Sequence, residues 1–342
     1  MSGPIRLELK SFNLQLQDPF TIARGTITVQ PTLIVELHCD GLVGLGEATT
    51  NDYYGASLDN MRRLLRNVQS RLAFMPLDNP AEIWRELDPV LGGNRFAQCA
   101  LDCAVWDLYA QQHDLPLYRL WGFDEDAACP ATCYTLGIDT PDVMLRKMQA
   151  MPNWPIYKIK LDQTGSLENV RYLRQHTDAR FRVDANCSWQ PEQVLRMAEE
   201  LVSLNVELIE QPLAANAYDA MRPLKGKSPL PLMADESCQV ETDINRCIDC
   251  FDAVNIKLVK CGGLTPARRM IARAKQNGLQ VMVGCMTESS IGIAAGAHLL
   301  PLLDFADLDG ALLLRDDIAS GLSWHAGYCQ MPSAPGLGVR LR

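Results

Sequence analysis

Between residues 131 and 309, eight short apolar runs alternate with amphipathic, helix-like stretches, and this alternation constrains the fold more than any other feature. Strands that alternate with helices form parallel βαβ units, so eight of them predict an α/β protein with a (β/α)8-type TIM barrel. A doubly wound parallel sheet is the alternative, although it would not need eight strands. The predicted strands are Ala131–Leu136, Ile156–Leu161, Arg180–Asp184, Glu207–Glu210, Leu232–Asp235, Ala253–Leu258, Gln280–Gly284 and Phe305–Asp309. The predicted helices between them include Val143–Ala150, Leu167–His176, Pro191–Leu204, Ile244–Phe251 and Thr265–Asn277.

The pattern of strands followed by helices before the barrel predicts a separate α+β unit. Leu33–His38 and Val43–Ala48 are β-type runs joined by a short Asp-Gly turn, which is typical of a hairpin. Gly41, Gly44 and Gly46 superficially resemble a nucleotide-binding loop, but their spacing does not match GxGxxG and no helix follows directly. Helical periodicity then covers Ser57–Leu72, Pro80–Leu91 and Ala97–Gln112.

We therefore expect three segments along the chain. Residues 1–125 form an N-terminal α+β capping domain, and residues 126–314 form the barrel that carries the site. Residues 315–342 form a Gly- and Pro-containing tail with the strand-like run Gly338–Leu341, which we expect to return to the capping domain.

The charge and hydropathy patterns exclude two classes of partner. The chain carries 41 acidic and 32 basic residues, a formal net charge of −9, whereas a nucleic-acid binder needs a basic stripe. The apolar stretch Ile291–Leu303 is shorter than the roughly 20 apolar residues of a membrane span, and it contains His298 and Pro301. The first ten residues have no hydrophobic signal core. We expect a cytoplasmic, soluble protein with a small-molecule substrate, and self-association into a homo-oligomer stays open.

The twelve cysteines predict buried thiols rather than disulfides, because no secretory signal is visible. Cys247-x-x-Cys250 has the spacing of half a zinc site. No second pair of cysteines or closely spaced histidines completes it, so a zinc site is the weaker alternative.

Carboxylates occur where three consecutive predicted strands end. Asp184, Glu210 and Asp235 follow the strand period, and a barrel places its strand ends around one mouth. Oxygen ligands without histidine or cysteine favour Mg²⁺, with Mn²⁺ as a substitute, over zinc. The alternative is that these side chains cap the helices that follow.

Three lysines also end predicted strands. Lys158 and Lys160 are two residues apart and therefore share the inward face, while Lys257 comes from four strands further around the barrel. Repulsion between two close ammonium groups should lower the pKa of at least one, which suits a general base. Lysines on opposite sides imply proton removal on one face of a substrate and delivery on the other. The alternative is an ion pair with a metal-ligand carboxylate; Lys260 is expected to leave the strand axis and to be secondary.

The last predicted strand carries an acidic pair. By the same alternation Asp307 and Asp309 share a face, with Leu308 outside. Two carboxylates without a metal partner suit an ammonium group on the substrate. Helix caps or a second cation site are the alternatives.

These motifs together resemble the enolase superfamily, muconate-lactonizing subgroup, over nearly the whole chain. Within the subgroup, Asp307-x-Asp309 and Gly284-Cys285-Met286 resemble the dipeptide epimerases, most closely the L-Ala-D/L-Glu epimerases. The motifs that carry the wider resemblance are Tyr157-Lys158-Ile159-Lys160, Val183-Asp184-Ala185-Asn186, Ile209-Glu210-Gln211-Pro212, Ala234-Asp235-Glu236-Ser237, and Asn255-Ile256-Lys257 followed by Gly262-Gly263.

The resemblance implies a Mg²⁺-dependent epimerase that inverts the α-carbon of the C-terminal residue of a dipeptide through an enediolate. It implies one Mg²⁺ per subunit on the three carboxylates, with Lys160 and Lys257 as the two acid/base catalysts. Lys158 would lie by the substrate carboxylate, and the acidic pair would hold the ammonium group. The remaining substrate contacts implied are Thr135, Cys285 and, for a glutamate side chain, Arg24.

Other functions remain as alternatives. An N-acylamino acid racemase or an o-succinylbenzoate synthase would not need the acidic pair, because its substrate lacks a free α-ammonium group. Sugar-acid dehydration usually relies on a histidine base, and none of the five histidines clearly ends a strand. A Schiff-base aldolase would need no metal, and a non-catalytic binding protein would not need two bases.

Overall fold

A computed structural model describes residues 3–162, 164 and 167–342; Met1 and Ser2, at the start of the N-terminal segment discussed above, lie outside them. The N-terminal part begins with an antiparallel sheet of β1 (Arg6–Ile22), β2 (Gly25–Cys39) and β3 (Leu42–Thr49) in that order. Its turn at Asp40 and Gly41 joins β2 to β3, where the sequence predicts the hairpin. Four helices follow: α1 (Leu58–Leu72), α2 (Pro80–Leu91), α3 (Arg95–Gln112) and α4 (Leu117–Leu120).

Two glycines let the sheet approach α3 closely. A Cβ at Gly46 would lie 1.9 Å from the carbonyl oxygen of Ala100, and a Cβ at Gly44 would lie 2.2 Å from that of Ala104. These glycines therefore serve helix–sheet packing in the hairpin, which supports the hairpin interpretation over a nucleotide loop.

Eight parallel strands form the second part, as the sequence predicts. Each strand pairs with the next along the chain, and a bridge between Thr132 and Ala306 joins the first to the last. The strands are β4 (Tyr134–Leu136), β5 (Ile156–Lys160), β6 (Arg180–Asp184), β7 (Val206–Glu210), β8 (Leu232–Ala234), β9 (Ala253–Lys257), β10 (Gln280–Gly284) and β11 (Phe305–Asp307). The TIM-barrel fold is therefore confirmed.

Helices connect the barrel strands and cover them from outside. They are α5 (Pro141–Gln149), α6 (Glu168–Arg174), α7 (Pro191–Ser203), α8 (Tyr218–Met221), α9 (Ile244–Cys247), α10 (Leu258–Cys261), α11 (Leu264–Gln276) and α12 (Ser290–Ala297). The helix predicted over Ile244–Phe251 is too long, because α9 ends at Cys247. Lys225 Nζ donates to the carbonyl oxygen of Ile248 at 2.6 Å, and both Cys250 N and Phe251 N bond to the carbonyl oxygen of Cys247, so the last predicted turn is an irregular single turn.

The tail runs back along the N-terminal part. It contains β12 (Ala319–Ser320), β13 (Ser323–His325), β14 (Tyr328–Gln330) and β15 (Arg340–Leu341), with β12 pairing antiparallel to β15. Leu337 N donates to Asp107 Oδ1 on α3 at 2.7 Å. The boundaries at residues 125 and 314 stay predictions. Across the described residues, every helix is too short or too polar to cross a bilayer.

Substitution of Gly46 tests the close approach of the sheet to α3. In Gly46→Ala, the added Cβ would clash with backbone atoms of α3, so β3 has to move away from the helix. We therefore expect a loss of about 3 kcal/mol in the free energy of unfolding. Gly41→Ala is the matched control, since its Cβ meets nothing within 4 Å and only its φ of +81° is strained, at about 1 kcal/mol. Urea unfolding of the two variants measures the difference; equal midpoints would contradict this packing.

Candidate active site

The strand ends bring the predicted polar residues to one level of the barrel. In the strand register Lys160 lies beside Asp184, and Asp184 beside Glu210. Gly284, at the end of β10, lies beside both Lys257 and Asp307. The carboxyl ends of the parallel strands therefore carry the period seen in the sequence into neighbouring positions around one mouth.

Three buried carboxylates form the centre of this site. Oxygen atoms of Asp184, Glu210 and Asp235 all lie within 4.8 Å of one another. Their side chains are at most 2% exposed. Converging carboxylate oxygens repel each other unless cations lie between or beside them, and they are the donor type that Mg²⁺ prefers. The residues present therefore fit a hard divalent cation.

Lys160 and Lys257 flank these carboxylates from opposite sides. Lys160 Nζ donates to Asp184 Oδ2 at 2.6 Å, and Lys257 Nζ donates to Asp235 Oδ2 at 2.8 Å. They are carried by β5 and β9, which are four strands apart in the eight-stranded order. The two ammonium groups therefore face one central space across half of the barrel.

The contacts of Lys158 correct one sequence-based expectation. Its Nζ lies 2.7 Å from Asp307 Oδ2, 2.8 Å from Glu210 Oε2 and 3.1 Å from Asp184 Oδ2. Burial would lower the pKa of Lys158, but these three carboxylates outweigh it and raise the pKa well above its usual range. The lowered pKa expected from repulsion with Lys160 is therefore wrong for Lys158, because carboxylates surround it more closely than ammonium groups do.

The surrounding lysines keep two of the carboxylates ionised. Burial would raise the pKa of Asp184, but Lys160 and Lys158 lower it overall. Lys257 and Lys260 do the same for Asp235, whereas burial and the charge of Asp184 raise the pKa of Glu210 to about 7.

Lys260 leaves the strand axis, as the sequence predicts, because it lies in the short helix α10, but its side chain still contacts the site. Its side chain is buried, and its Nζ contacts Asp235 Oδ1 at 2.5 Å and the Asp235 carbonyl oxygen at 2.6 Å. The short helix α10 begins directly after Lys257 and turns Lys260 back towards the site. Lys260 therefore gives Asp235 a second cationic partner.

The acidic pair Asp307 and Asp309 lies on either side of the end of β11. The strand stops at Asp307, and Asp309 begins a 3₁₀ turn, so strand alternation does not extend to Asp309. Asp307 Oδ1 accepts from Cys133 Sγ at 3.1 Å, and its Oδ2 accepts from Lys158. Asp309 Oδ2 accepts from Thr135 N at 2.5 Å. Burial and the charge of Asp307 raise the pKa of Asp309 to about 7.

Thr135 and Cys285 lie at this acidic end, as the resemblance implies. Thr135 is buried beside Asp309, and Cys285 is partly exposed directly after β10. Burial and the charges of Asp309 and Asp307 raise the pKa of the Cys285 thiol well above its usual range, which keeps it neutral.

Arg24 reaches the barrel from the turn between β1 and β2. Its Nη2 donates to Glu236 Oε1 at 2.8 Å, and its Nη1 donates to the carbonyl oxygen of Asn186 at 3.4 Å. Its guanidinium carbon lies 4.5 Å from the ring centroid of Tyr53. Glu236, the partner of Arg24, directly follows Asp235 in the chain, and the sequence alone does not predict a role for it.

Two further buried contacts are missed at the sequence level. Asn255 Nδ2 donates to Glu210 Oε1 at 2.9 Å, and the spacing of two residues to Lys257 on one strand is the signal that could have found it. Cys133 contacts Asp307, but a cysteine two residues before Thr135 carries no such signal by itself.

The histidine base and the zinc half-site that were considered as alternatives consist of side chains with ordinary structural hydrogen bonds. His298 is buried at the end of α12, where its Nδ1 accepts from Tyr118 N at 3.1 Å and its Nε2 lies 3.2 Å from the Leu337 carbonyl oxygen. Cys250 Sγ donates to the carbonyl oxygen of Tyr218 at 3.4 Å and Cys247 Sγ to that of Ser237 at 3.8 Å. These contacts are those of buried structural side chains.

Two family models match the chain. Residues 5–122 match the N-terminal domain of mandelate racemase / muconate lactonizing enzyme, and residues 144–342 match the enolase C-terminal domain-like family. An L-Ala-D/L-amino acid epimerase of Flavobacterium johnsoniae is 47% identical over 337 residues, covering 98% of this chain and 100% of the relative.

Solved structures of other proteins superimpose on nearly the full length of this chain. A dipeptide epimerase from Cytophaga hutchinsonii, complexed with Mg and the dipeptide D-Ala-L-Val, superimposes with a TM-score of 0.93 at 29% identity, covering 99% of this chain and 96% of that one. An N-succinyl Arg/Lys racemase from Bacillus cereus superimposes with a TM-score of 0.91 at 28% identity, covering 100% and 96%. This chain therefore belongs to the mandelate racemase / muconate lactonizing enzyme family of the enolase superfamily.

Proposed function

We propose that this protein is a Mg²⁺-dependent dipeptide epimerase that inverts the α-carbon of the C-terminal residue by proton transfer between Lys160 and Lys257. The observation that carries the proposal is the placement of these two lysines, half a barrel apart, on carboxylates of one buried cluster. The isomerase class rests on the relatives, which are epimerases and racemases of dipeptides and amino acids.

The two lysines would act on opposite faces of the substrate. The lysine that accepts the α-proton must be neutral, while the other must be an ammonium group to return a proton on the far face. Hydrogen bonds to Asp184 and Asp235 fix where each Nζ lies, so little reorientation is needed as the proton moves. Exchange of the two roles turns either epimer into the other.

Removal of an α-proton next to a carboxylate adds negative charge to a group that is already an anion. Asp184, Glu210 and Asp235 would hold Mg²⁺, which supplies positive charge beside that carboxylate when bound. Lys158, which projects from β5 between Glu210 and Asp307, would add a second positive charge there.

At the other end of the substrate, the α-ammonium group of a dipeptide would lie by Asp309. Thr135 N donates to Oδ2 of this carboxylate, whereas Cys133 and Lys158 engage both oxygens of Asp307. The positive charge of a dipeptide ammonium group matches the carboxylate of Asp309, but the amide of an N-acylamino acid carries no charge to match it.

An N-acylamino acid racemase is the second candidate, since the Bacillus cereus relative named above is an N-succinyl Arg/Lys racemase. An o-succinylbenzoate synthase-type reaction stays an alternative within the same family. The acidic pair distinguishes these functions, because neither substrate carries a free α-ammonium group.

Replacement of either lysine tests the two-base proposal. Lys160→Ala and Lys257→Ala should each lower the epimerisation rate by at least about 100-fold, since a positioned acid or base contributes that much or more. Lys275→Ala, with a side chain 43% exposed beside Asp304, is the matched control and should keep the wild-type rate. Polarimetry or chiral chromatography of the product follows the reaction. Wild-type turnover in either site variant would contradict the assignment.

Replacement of Asp309 separates the two candidate functions. Asp309→Asn removes charge from the ammonium end, so kcat/KM for an L,L-dipeptide should fall by about tenfold or more, the loss of one charge-assisted contact. The same variant should change kcat/KM for the N-acetylated dipeptide much less. Equal losses for both substrates would exclude an ammonium contact at Asp309.

A further inference from the structure

We propose that Thr132 is a positioning residue for the acidic pair of this enzyme. Its hydroxyl closes the seam of the barrel between β4 and β11, and it thereby sets where Asp307 and Asp309 lie for the ammonium group of a dipeptide. This inference rests on the proposed dipeptide epimerase function, and it adds a residue for which the sequence alone predicts no role.

The barrel closes differently at this seam than between its other strands. Every other neighbouring pair of barrel strands forms a parallel ladder. Between the first and last strands, the one strand pairing among the described residues is the bridge of Thr132 to Ala306. Here Cys133 N donates to the carbonyl oxygen of Ala306 at 3.3 Å. The other contacts that close the seam therefore come from side chains.

The hydroxyl of Thr132 takes the place of the next ladder bond. In a parallel ladder that starts from the bond of Cys133 N to Ala306, the amide of Leu308 would donate to the carbonyl oxygen of Cys133. Instead, Leu308 N donates to Thr132 Oγ1 at 2.7 Å, and Thr132 Oγ1 donates to the carbonyl oxygen of Cys133 at 3.2 Å. The hydroxyl is therefore inserted between two backbone groups that would otherwise pair directly.

The following bond of the seam is made by the acidic pair itself. In a continued ladder the amide of Thr135 would meet the carbonyl oxygen of Leu308, but it donates to Asp309 Oδ2 at 2.5 Å. In the same stretch, Cys133 Sγ donates to Asp307 Oδ1 at 3.1 Å. Both carboxylates of the acidic pair therefore lie where side-chain contacts replace the ladder.

Thr132 is itself held in place from two directions. It is completely buried. Its backbone amide donates to the carbonyl oxygen of Gly327 in the tail at 2.8 Å, and its carbonyl oxygen accepts from Trp154 Nε1 at 3.0 Å. With both backbone groups bonded, Thr132 offers Leu308 an acceptor at a fixed point. Support of this kind keeps the residues that contact a ligand in a productive geometry.

The bond to Leu308 matters because Leu308 separates the two acidic residues in the chain. Without the hydroxyl, the buried amide of Leu308 has two options. It stays without an acceptor, which is costly, or it pairs directly with Cys133 and draws Asp307 and Asp309 towards β4. Either outcome changes the place offered to a substrate ammonium group.

The experiment compares L-Ala-L-Leu with N-propionyl-L-Leu, which differs from it by the loss of the ammonium group, at saturating Mg²⁺. Thr132→Val keeps the shape of the side chain but removes the hydroxyl. It should raise KM for L-Ala-L-Leu by at least about tenfold, the effect of losing a contact to a charged group. The inhibition constant of N-propionyl-L-Leu should stay at the wild-type value. The effect on kcat should be smaller, because Lys160 and Lys257 keep their contacts.

Three further variants keep the test decisive. Thr132→Ser keeps the hydroxyl and should restore the wild-type KM. Thr49→Val is the matched control, since Thr49 is also buried but its hydroxyl has no hydrogen-bond partner among the described residues, so neither constant should change. If Thr132→Val does not fold, Thr132→Cys decides, because a thiol is a weaker acceptor at the same position and should raise KM in the same direction.

The outcomes separate this inference from the function on which it rests. If KM for L-Ala-L-Leu and the inhibition constant of N-propionyl-L-Leu rise together in the folded variant, or if neither changes, the role of Thr132 is overturned and the epimerase remains. A wild-type protein that neither epimerises L,L-dipeptides nor exchanges their α-protons would overturn the proposed function, and this inference with it.

Discussion

The compensation of buried charge at the ends of the barrel strands is the constraint on which the site depends. Carboxylates and ammonium groups removed from water are stable only where each meets an opposite charge or a hydrogen bond. The lysines and carboxylates here share their partners, with Lys158 between three carboxylates and Asp235 between two lysines. The residues in this network are Lys158, Lys160, Lys257, Lys260, Asp184, Glu210, Asp235, Asp307 and Asp309.

This shared network also explains what the site is suited to do. In the proposed reaction, the cation and the zwitterionic substrate would take over some of the contacts that the carboxylates share with the lysines. The net charge of −9 of the whole chain says little about this region, where opposite charges nearly balance. A dipeptide, the proposed substrate, carries both an ammonium and a carboxylate group, which would match the two ends of the site.

Much of the barrel and the placement of the predicted site residues could be anticipated from the sequence, because period and alternation determine both. The carboxyl ends of the parallel strands put Asp184, Glu210 and Lys257 at one mouth of the barrel, whatever the loops do. Side chains positioned by loops and short helices could not be anticipated. Lys260 depends on the turn of α10, and the partnership of Arg24 with Glu236 depends on how the N-terminal unit meets the barrel.

The central claim is that this barrel removes and returns the proton on the α-carbon of a dipeptide's C-terminal residue. The most direct measurement is incubation of L,L-dipeptides in D₂O with Mg²⁺, followed by mass spectrometry and by NMR of the α-position. The account predicts a mass increase of one at the C-terminal α-carbon, together with the L,D epimer, and the loss of both when a chelator removes Mg²⁺. Dipeptides that stay fully protonated at that carbon with Mg²⁺ present would contradict it.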